Sequence, residues 1–589
     1  DRIAGDKAIF KTSRFTPCKC DFDNGEKPLW DIRATQSVRN EKTNTITHYN
    51  LRMHVLNLPV FYLPYLSHPD WTVRRRSGFL TPSFLVSSDF GFTPSIPYFQ
   101  VIDDTKDAQF NLYKYQYRGA TVKTRYRQLW DQSAFHANIY TGHVETYKAD
   151  RETVGAVDAS FTSRIGNDWD INTRLQRSSQ DTFLRRYRFN AETSLKSNVT
   201  AKRIVNDRYY YVEASDRQSL ITADKNTNEP TILPHVFYEK TQKGWRPRQQ
   251  LRTEISALQL DNDQNNDYAR WSGIFEIAED IPLTQGIANY NASLMANYYE
   301  IHSQSSTAST KLGTVAHSNP SVSLGWRMPI AVNGFARMAM IEPKAQVTYV
   351  GGNDRTDDIP NRDAAEYRID EANLFLPHRY QGKDYILPGT RVDTGVGATA
   401  NDQYLGSITA FGGISRRLSG TPSAGLNANQ GDIYSDYVAS FSMSPARFID
   451  IRWSGRMSSH DFTLNESKTV ASTSLGAGYF KLTHSQLSQA YFVSGEDDRE
   501  ELSATLGQTI GAGWSFKASQ IWDLSYSKTV REKTNAALYW AGGAQDCLTL
   551  TVNYEHDPNS DRDIGAVDQI NFVLSFKHLG VLSPDNIAG

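Results

Sequence analysis

Three groups of side chains in this chain have the types and spacing to do chemistry. Cys18, Cys20 and Cys547 are its only thiols. A Cys-x-Cys pair with no histidine nearby is a poor zinc ligand set, so pairing into a disulfide is the chemistry these thiols suit best. Arg74, Arg75 and Arg76 are three consecutive guanidinium groups, the fork geometry that recognises phosphate. Basic residues at a membrane edge also commonly serve only headgroups and solvent. Asp261, Asp263, Asn265 and Asp267 imitate the opening of a calcium loop, but Asn266 stands where that loop needs glycine and Ser272 where it needs glutamate. The spacing therefore predicts a solvated turn. No P-loop, HExxH or GxSxG occurs, and no catalytic role, metal or cofactor is expected.

The arginines lead into the stretch Phe61 to Phe99, in which apolar and aromatic residues ask for β-strand while Pro82 and Pro97 interrupt it. Proline has no N–H to give a neighbouring strand, so it belongs at a strand end or at a weak edge. Either the prolines mark turns, or they weaken a sheet edge that has to open. Pro94 is a further break with no role assigned to it.

At 589 residues the chain exceeds what one ordinary soluble core supports. It carries 63 basic and 65 acidic residues for a net charge of −2, which gives no electrostatic case for a nucleic-acid partner. Mean hydropathy is −0.53, and no apolar run reaches the roughly 18 residues of a membrane helix. A transmembrane β-barrel escapes that test, because its strands need apolar residues only at alternate positions. The 31 Tyr and 11 Trp suit the two interfaces of a bilayer. The chain begins at Asp1 without an initiator methionine or leader, so a processed or missing N-terminus is expected.

Period-two alternation dominates. Ala288, Tyr290, Ala292, Leu294, Ala296 and Tyr298 alternate with residues that include Asn289, Asn291, Ser293 and Asn297. Val322, Leu324 and Trp326 alternate with Ser323, Gly325 and Arg327, and Leu548, Leu550, Val552 and Tyr554 with Thr549, Thr551, Asn553 and Glu555. The same pattern recurs at Trp169–Gln176, Ile451–Ser458 and Ile570–Phe576. A soluble sandwich also alternates, but not over about 500 residues with a polar face rich in Arg, Asp, Asn and Gln. At about ten residues per strand, Gly78 to His578 holds roughly 22 to 26 strands. The longest irregular stretch runs from Gly351 to about Val396.

Four segments, in order, resemble the LptD family of lipopolysaccharide-assembly proteins: the Thr16-Pro17-Cys18 segment, RRRSGFLTP…IPYF (74–99), DEANLF…RYQGKD (370–384), and the closing stretch from Cys547 to Gly580 with FVLSFKHLG. The resemblance spans nearly the whole chain and chooses 26 strands. It implies an all-β fold: residues 1–75 are the end of a periplasmic β-jellyroll (OstA-like) domain and its linker, and 76–589 are an outer-membrane antiparallel β-barrel. It further implies lipopolysaccharide as cargo, an LptE-like lipoprotein plugging the barrel, an LptA-type periplasmic bridge feeding the jellyroll, and delivery into the outer leaflet of the bacterial outer membrane. Under it Pro82 and Pro97, with Gly78 and Phe79, form a lateral gate between the first and last strands. Arg74, Arg75 and Arg76 are candidate contacts for the cargo's phosphates.

A bridge from either Cys18 or Cys20 to Cys547 is permitted by the topology, since an even strand count returns the start of the penultimate strand to the N-terminal side. It would close a loop of roughly 500 residues or more, on the order of 6 kcal/mol by chain entropy. The resemblance favours Cys18. The family often has two adjacent cysteines at the C-terminal position, whereas Asp546 precedes Cys547 here. Three rival readings remain: a TonB-type transporter, for which residues 1–75 are short of a plug domain; a general porin; and an outer-membrane hydrolase.

Overall fold

The computed structural model describes residues 2–3, 6–16, 18, 27–70, 75–80, 83–146, 150–166, 168–221, 230–261, 267–302, 312–333, 338–352, 358–359, 363, 368–380, 382–420, 433–488, 498–525, 531–542, 547–558, 564–576 and 580–582. Strand is almost the only element among them. No described helix is long and apolar enough to cross a membrane.

An N-terminal antiparallel sheet of five strands comes first, in sequence order, with a short first strand Arg2–Ile3 and a last strand Leu58–Pro69. Its core is Trp30, Ile32 and Leu51. The sheet ends at Pro69, and barrel pairing begins at Gly78. From there the chain forms one closed barrel of 26 antiparallel staves.

Why the barrel forms follows from which side of each strand is covered. Ser321 and Ser323 are each 1% exposed, whereas Val322 between them is 42% exposed and Leu324 is 61% exposed. Ser293 and Asn297 are buried while Leu294 and Tyr298 are exposed. The chain is thus polar inside and apolar outside, the reverse of a soluble sandwich and the arrangement a hydrocarbon solvent imposes. Closure lets neighbouring staves satisfy the backbone donors and acceptors that lipid cannot. Tight turns cluster at the end carrying the N-terminal sheet (Trp130↔Ser133, Leu283↔Gly286, Leu475↔Gly478). That end is called proximal below and the opposite one distal.

Two distal connections fold inward. Residues 179–193 contain the helix Phe183–Arg186, and residues 351–388 connect Met338–Val350 to Gly389–Asp402. The expected irregular stretch to Val396 therefore ends earlier, at Gly389. Arg391 and Asp393 hide the strand pattern because they face the lumen, where Asp393 is fully buried, while Val396 is half exposed outside.

Candidate functional site

The first and last staves meet along a short join. The last strand, Val567–Phe576, pairs with the first through only four residue pairs, Gln569↔Ser87, Ile570↔Val86, Asn571↔Leu85 and Phe572↔Phe84. Other neighbouring staves share longer ladders, from the run Trp169↔Arg203 through Arg174↔Asn198 to the much longer run Leu283↔Gly286 through Tyr268↔Ile301. One bond extends the join distally, from the Ser88 N–H to the Asp568 carbonyl. Proximally the last strand turns away: Leu574, Ser575 and Phe576 pair with a return strand, Gly580–Leu582. The first stave is itself broken into Gly78–Phe79 and Ser83–Ser87. Its proximal piece pairs with the second stave, Gly91–Val101, through Gly78↔Phe99 and Phe79↔Tyr98.

Pro97 lies in that second stave, one strand inside the join, opposite the break. The Leu80 N–H donates to the Pro97 carbonyl at 2.9 Å. In an antiparallel pair a residue's carbonyl and N–H address the same neighbour, so the donor Pro97 lacks would also have faced the first stave. Pro82 lies outside the described residues, as do Arg74 and Cys20. Pro94 is opposite Phe84. Phe79 is 77% exposed and meets Tyr98 edge-on at 5.1 Å between ring centres. Gly78 has open space where a Cβ would be. Arg75 is engaged by the Asp104 carbonyl and the Asp107 carboxylate, which Arg127 also holds. Arg76 is exposed.

Cys18 and Cys547 form a disulfide, with Cα atoms 5.2 Å apart and 529 positions between them in sequence. The Thr16 hydroxyl accepts from the Cys18 N–H and donates to the Trp30 carbonyl. The fully buried Trp30 in turn donates its indole N–H to the Cys547 carbonyl at 2.9 Å. The N-terminal sheet is thereby fastened to the proximal end of the penultimate stave, Leu548–Asp557, next to the join. On the sheet's last strand Leu58, Val60, Phe61, Tyr62 and Tyr65 are all more than half exposed.

The lumen is partly filled. In loop 179–193, Phe183, Leu184 and Tyr187 pack against Tyr113, Tyr115 and Phe90, the last lying in the turn that follows the first stave. The Arg188 guanidinium lies 5.5 Å over the Phe90 ring. Loop 351–388 docks by charge and by apolar contact. Arg270 reaches Asp363 and Asp384, each at 2.5 Å. Asp384 also accepts from the hydroxyls of Tyr268 at 2.6 Å and Tyr299 at 3.1 Å. Burial pushes the Asp363 carboxyl up, but Arg270 and the N–H groups of Lys383 and Asp384 outweigh it and hold the carboxyl below its ordinary range. Lys383 pairs with Glu254, and Arg379 with Asp393. Leu374 seats against Phe411 and Val438. Gly413 makes room for it, since a Cβ there would stand 2.4 Å from Leu374 Cδ2.

Sequence reasoning missed this luminal docking. Its one local signal was aromatic density in a loop, FLRRYRF at 183–189; the partners of Arg270 stand 93 and 114 positions away. The acidic turn at 261–267 has Asp263, Asn265 and Asn266 outside the described residues. Among the described residues no His, Cys, Asp and Glu cluster could hold a metal ion.

Residues 152–493 match the family described as LPS transport system D, LptD. An LPS-assembly protein LptD of Mannheimia succiniciproducens is 24% identical over 98% of this chain and 78% of its own length. That of Haemophilus ducreyi is 21% identical over 96% of this chain and 77% of its own length. Among solved structures, the FrpB iron transporter of Neisseria meningitidis overlaps 85% of this chain and 82% of its own, with 7% identity and a TM-score of 0.32.

Proposed function

This chain belongs to the LPS transport system D (LptD) family, and from that premise we propose that it inserts lipopolysaccharide into the outer leaflet of the outer membrane through a lateral gate between its first and last staves. At the level of the family, the activity is LPS transport, not catalysis, and the barrel belongs in the outer membrane. The single observation that carries the gate is the four-pair join, broken proximally where the Leu80 region faces Pro97.

On this reading the proximal end is periplasmic. Cargo arrives along the N-terminal sheet, the remnant of a jellyroll fed by an LptA-type bridge. Acyl chains follow its exposed apolar strand (Val60, Phe61, Tyr65) toward the unzipped proximal part of the join and pass into hydrocarbon. Sugars and phosphates keep to the polar lumen, whose remaining space an LptE-like lipoprotein occupies. Arg76, exposed beside the first stave, is the residue of the triplet best placed to meet phosphate. The physics supports this route: each ladder bond contributes roughly 1 kcal/mol in water, and more in lipid where water cannot replace it. A short join is therefore the cheapest place to part the wall.

The test is a clamp. Ser87→Cys with Gln569→Cys places a thiol pair at facing positions of the join. Oxidised, this variant is expected to stop the arrival of lipopolysaccharide at the cell surface, and reduction should restore it. Surface delivery at the native rate with the clamp fully formed refutes the gate.

A further inference from the structure

The seventh to tenth staves, Trp169–Ser178, Ser194–Val205, Arg208–Ser219 and Thr231–Lys243, carry a row of side chains across the outer wall at its proximal end. Trp169 sits opposite Arg203, Arg203 opposite Tyr210, and Tyr210 opposite Tyr238. These four share a face with Leu175, Val199, Val212 and Val236, which are 38–50% exposed, so the row looks outward. Between ring centres, Tyr210 lies 6.3 Å from Trp169 and 5.2 Å from Tyr238. The Arg203 guanidinium stands 6.0 Å over the indole. Trp and Tyr gather where a bilayer meets water, so the row marks the proximal interface.

Positive charge collects at the same place. Arg208 faces Lys240 on the same outward side. The Asp207 carboxylate lies 3.7 Å from Arg208 and 3.9 Å from Lys240, so one anion serves two cations. Among the described residues Arg203 has no ion pair, and its Nε is buried without a hydrogen bond. The next proximal turn extends the patch: Trp245 is 82% exposed, and Arg248 beyond it is exposed as well. By contrast the proximal turns 131–132, 284–285, 476–477 and 512–513 read Asp-Gln, Thr-Gln, Gly-Ala and Ala-Gly, without a basic residue.

A cation on the lipid face of a barrel is costly at mid-depth and tolerated near the interface, where it can meet an anionic headgroup. Guanidinium and ammonium groups bind phosphate, and the rings beside them offer flat apolar area to the first methylenes of acyl chains. The row starts six staves from the join, so cargo leaving through the join does not cross it.

We propose that Arg203, Arg208 and Lys240, with Trp169, Tyr210 and Tyr238, form a binding site for an anionic glycerophospholipid of the leaflet at the proximal end. The bound phosphate supplies the counter-charge that Asp207 alone does not, and it fixes the height of this rim in the bilayer. The site is separate from lipopolysaccharide delivery and rests only on the barrel lying in the outer membrane.

The experiment uses the full chain with its lipoprotein partner in detergent. Phosphatidylglycerol and phosphatidylcholine of equal chain length are titrated in and followed by native mass spectrometry. The native protein is expected to hold phosphatidylglycerol at least fivefold more tightly. Arg203→Gln with Lys240→Gln should erase that preference, whereas Arg447→Gln, in another proximal turn, should keep it. Equal retention of the two lipids by the native protein, an unchanged double variant, or the same loss in Arg447→Gln overturns the site. Glycerophosphate, the same anion without acyl chains, should not displace the lipid at equal concentration; displacement would reduce the patch to an anion site and overturn the proposal. Folding is checked by the Cys18–Cys547 bond. Should the double variant not fold, photoactivatable phosphatidylglycerol is applied to the native protein. It must label peptides within residues 169–243, and labelling confined to other staves overturns the site. Clamping Ser87 to Gln569 leaves these residues untouched, so failure here and failure of the gate read out separately.

Discussion

Replacing Arg270 with leucine should release part of the luminal loop and open the pore. The Arg270 side chain is 4% exposed and that of Asp384 is not exposed at all. Removing the guanidinium leaves two carboxylates facing each other, one of them fully buried and still bonded by tyrosine hydroxyls and the Asp363 N–H but without its arginine. Breaking a buried pair from one side costs about 3–5 kcal/mol, so undocking of residues 363–384 should become about a hundred- to several-thousand-fold more frequent. The Arg379–Asp393 pair and the Leu374 contacts keep the middle of the loop attached. Single-channel recording in planar bilayers is the assay: the native barrel should be nearly silent, and Arg270→Leu should show frequent large openings. Arg270→Leu combined with Asp384→Leu should be quiet again, because an apolar pair of similar volume can replace a buried ion pair at little cost; Asp363, a quarter exposed, keeps access to water. The reasoning fails if the single variant is as silent as native, or if the double variant leaks as much as the single.

Other outcomes follow from the same geometry. Cys547→Ser removes a 529-position closure, which the chain-entropy picture values at on the order of 6 kcal/mol; urea unfolding of the oxidised and mutant barrels should differ in midpoint, and coincident curves would count against it. Pro97→Ala restores a donor toward the first stave, adding roughly 1 kcal/mol. It should slow lipopolysaccharide delivery severalfold in a pulse-chase assay, and an unchanged rate would remove Pro97 from the gate. In the N-terminal sheet, burial and then the neighbouring His68 push His48 down from 6.5 to about 4. Because the folded form resists protonation, stability is complete above about 6.5 and is lost as pH falls toward about 4. Amide exchange in Thr45–Val55 should accelerate through that window, and His48→Asn should flatten the dependence.

Much of this protein is legible in one dimension. Alternation such as Leu548-Leu550-Val552-Tyr554 against Thr549-Thr551-Asn553-Glu555 determines an all-strand wall and which face meets lipid, because side chains alternate with period two whatever the strand's partner. The motif around Cys18 narrowed the choice of partner for Cys547, although only the fold brings the two thiols together. Pro97 announced a missing donor without saying which neighbour would miss it. The strand hidden at Gly389–Asp402 shows where local reading breaks down: Arg391 and Asp393 look like loop residues until Arg379 stands beside them.

Tertiary structure decided the rest. How far the last stave is zipped to the first depends on residues 480 or more positions apart, brought together only when the whole circumference closes. What fills the lumen depends on Arg270 on the wall meeting Asp363 and Asp384 on the inward loop. Periodicity is a property of neighbours along the chain and survives in the sequence; closure and luminal docking are properties of neighbours across it, set by register and charge complementarity, and no local pattern encodes them.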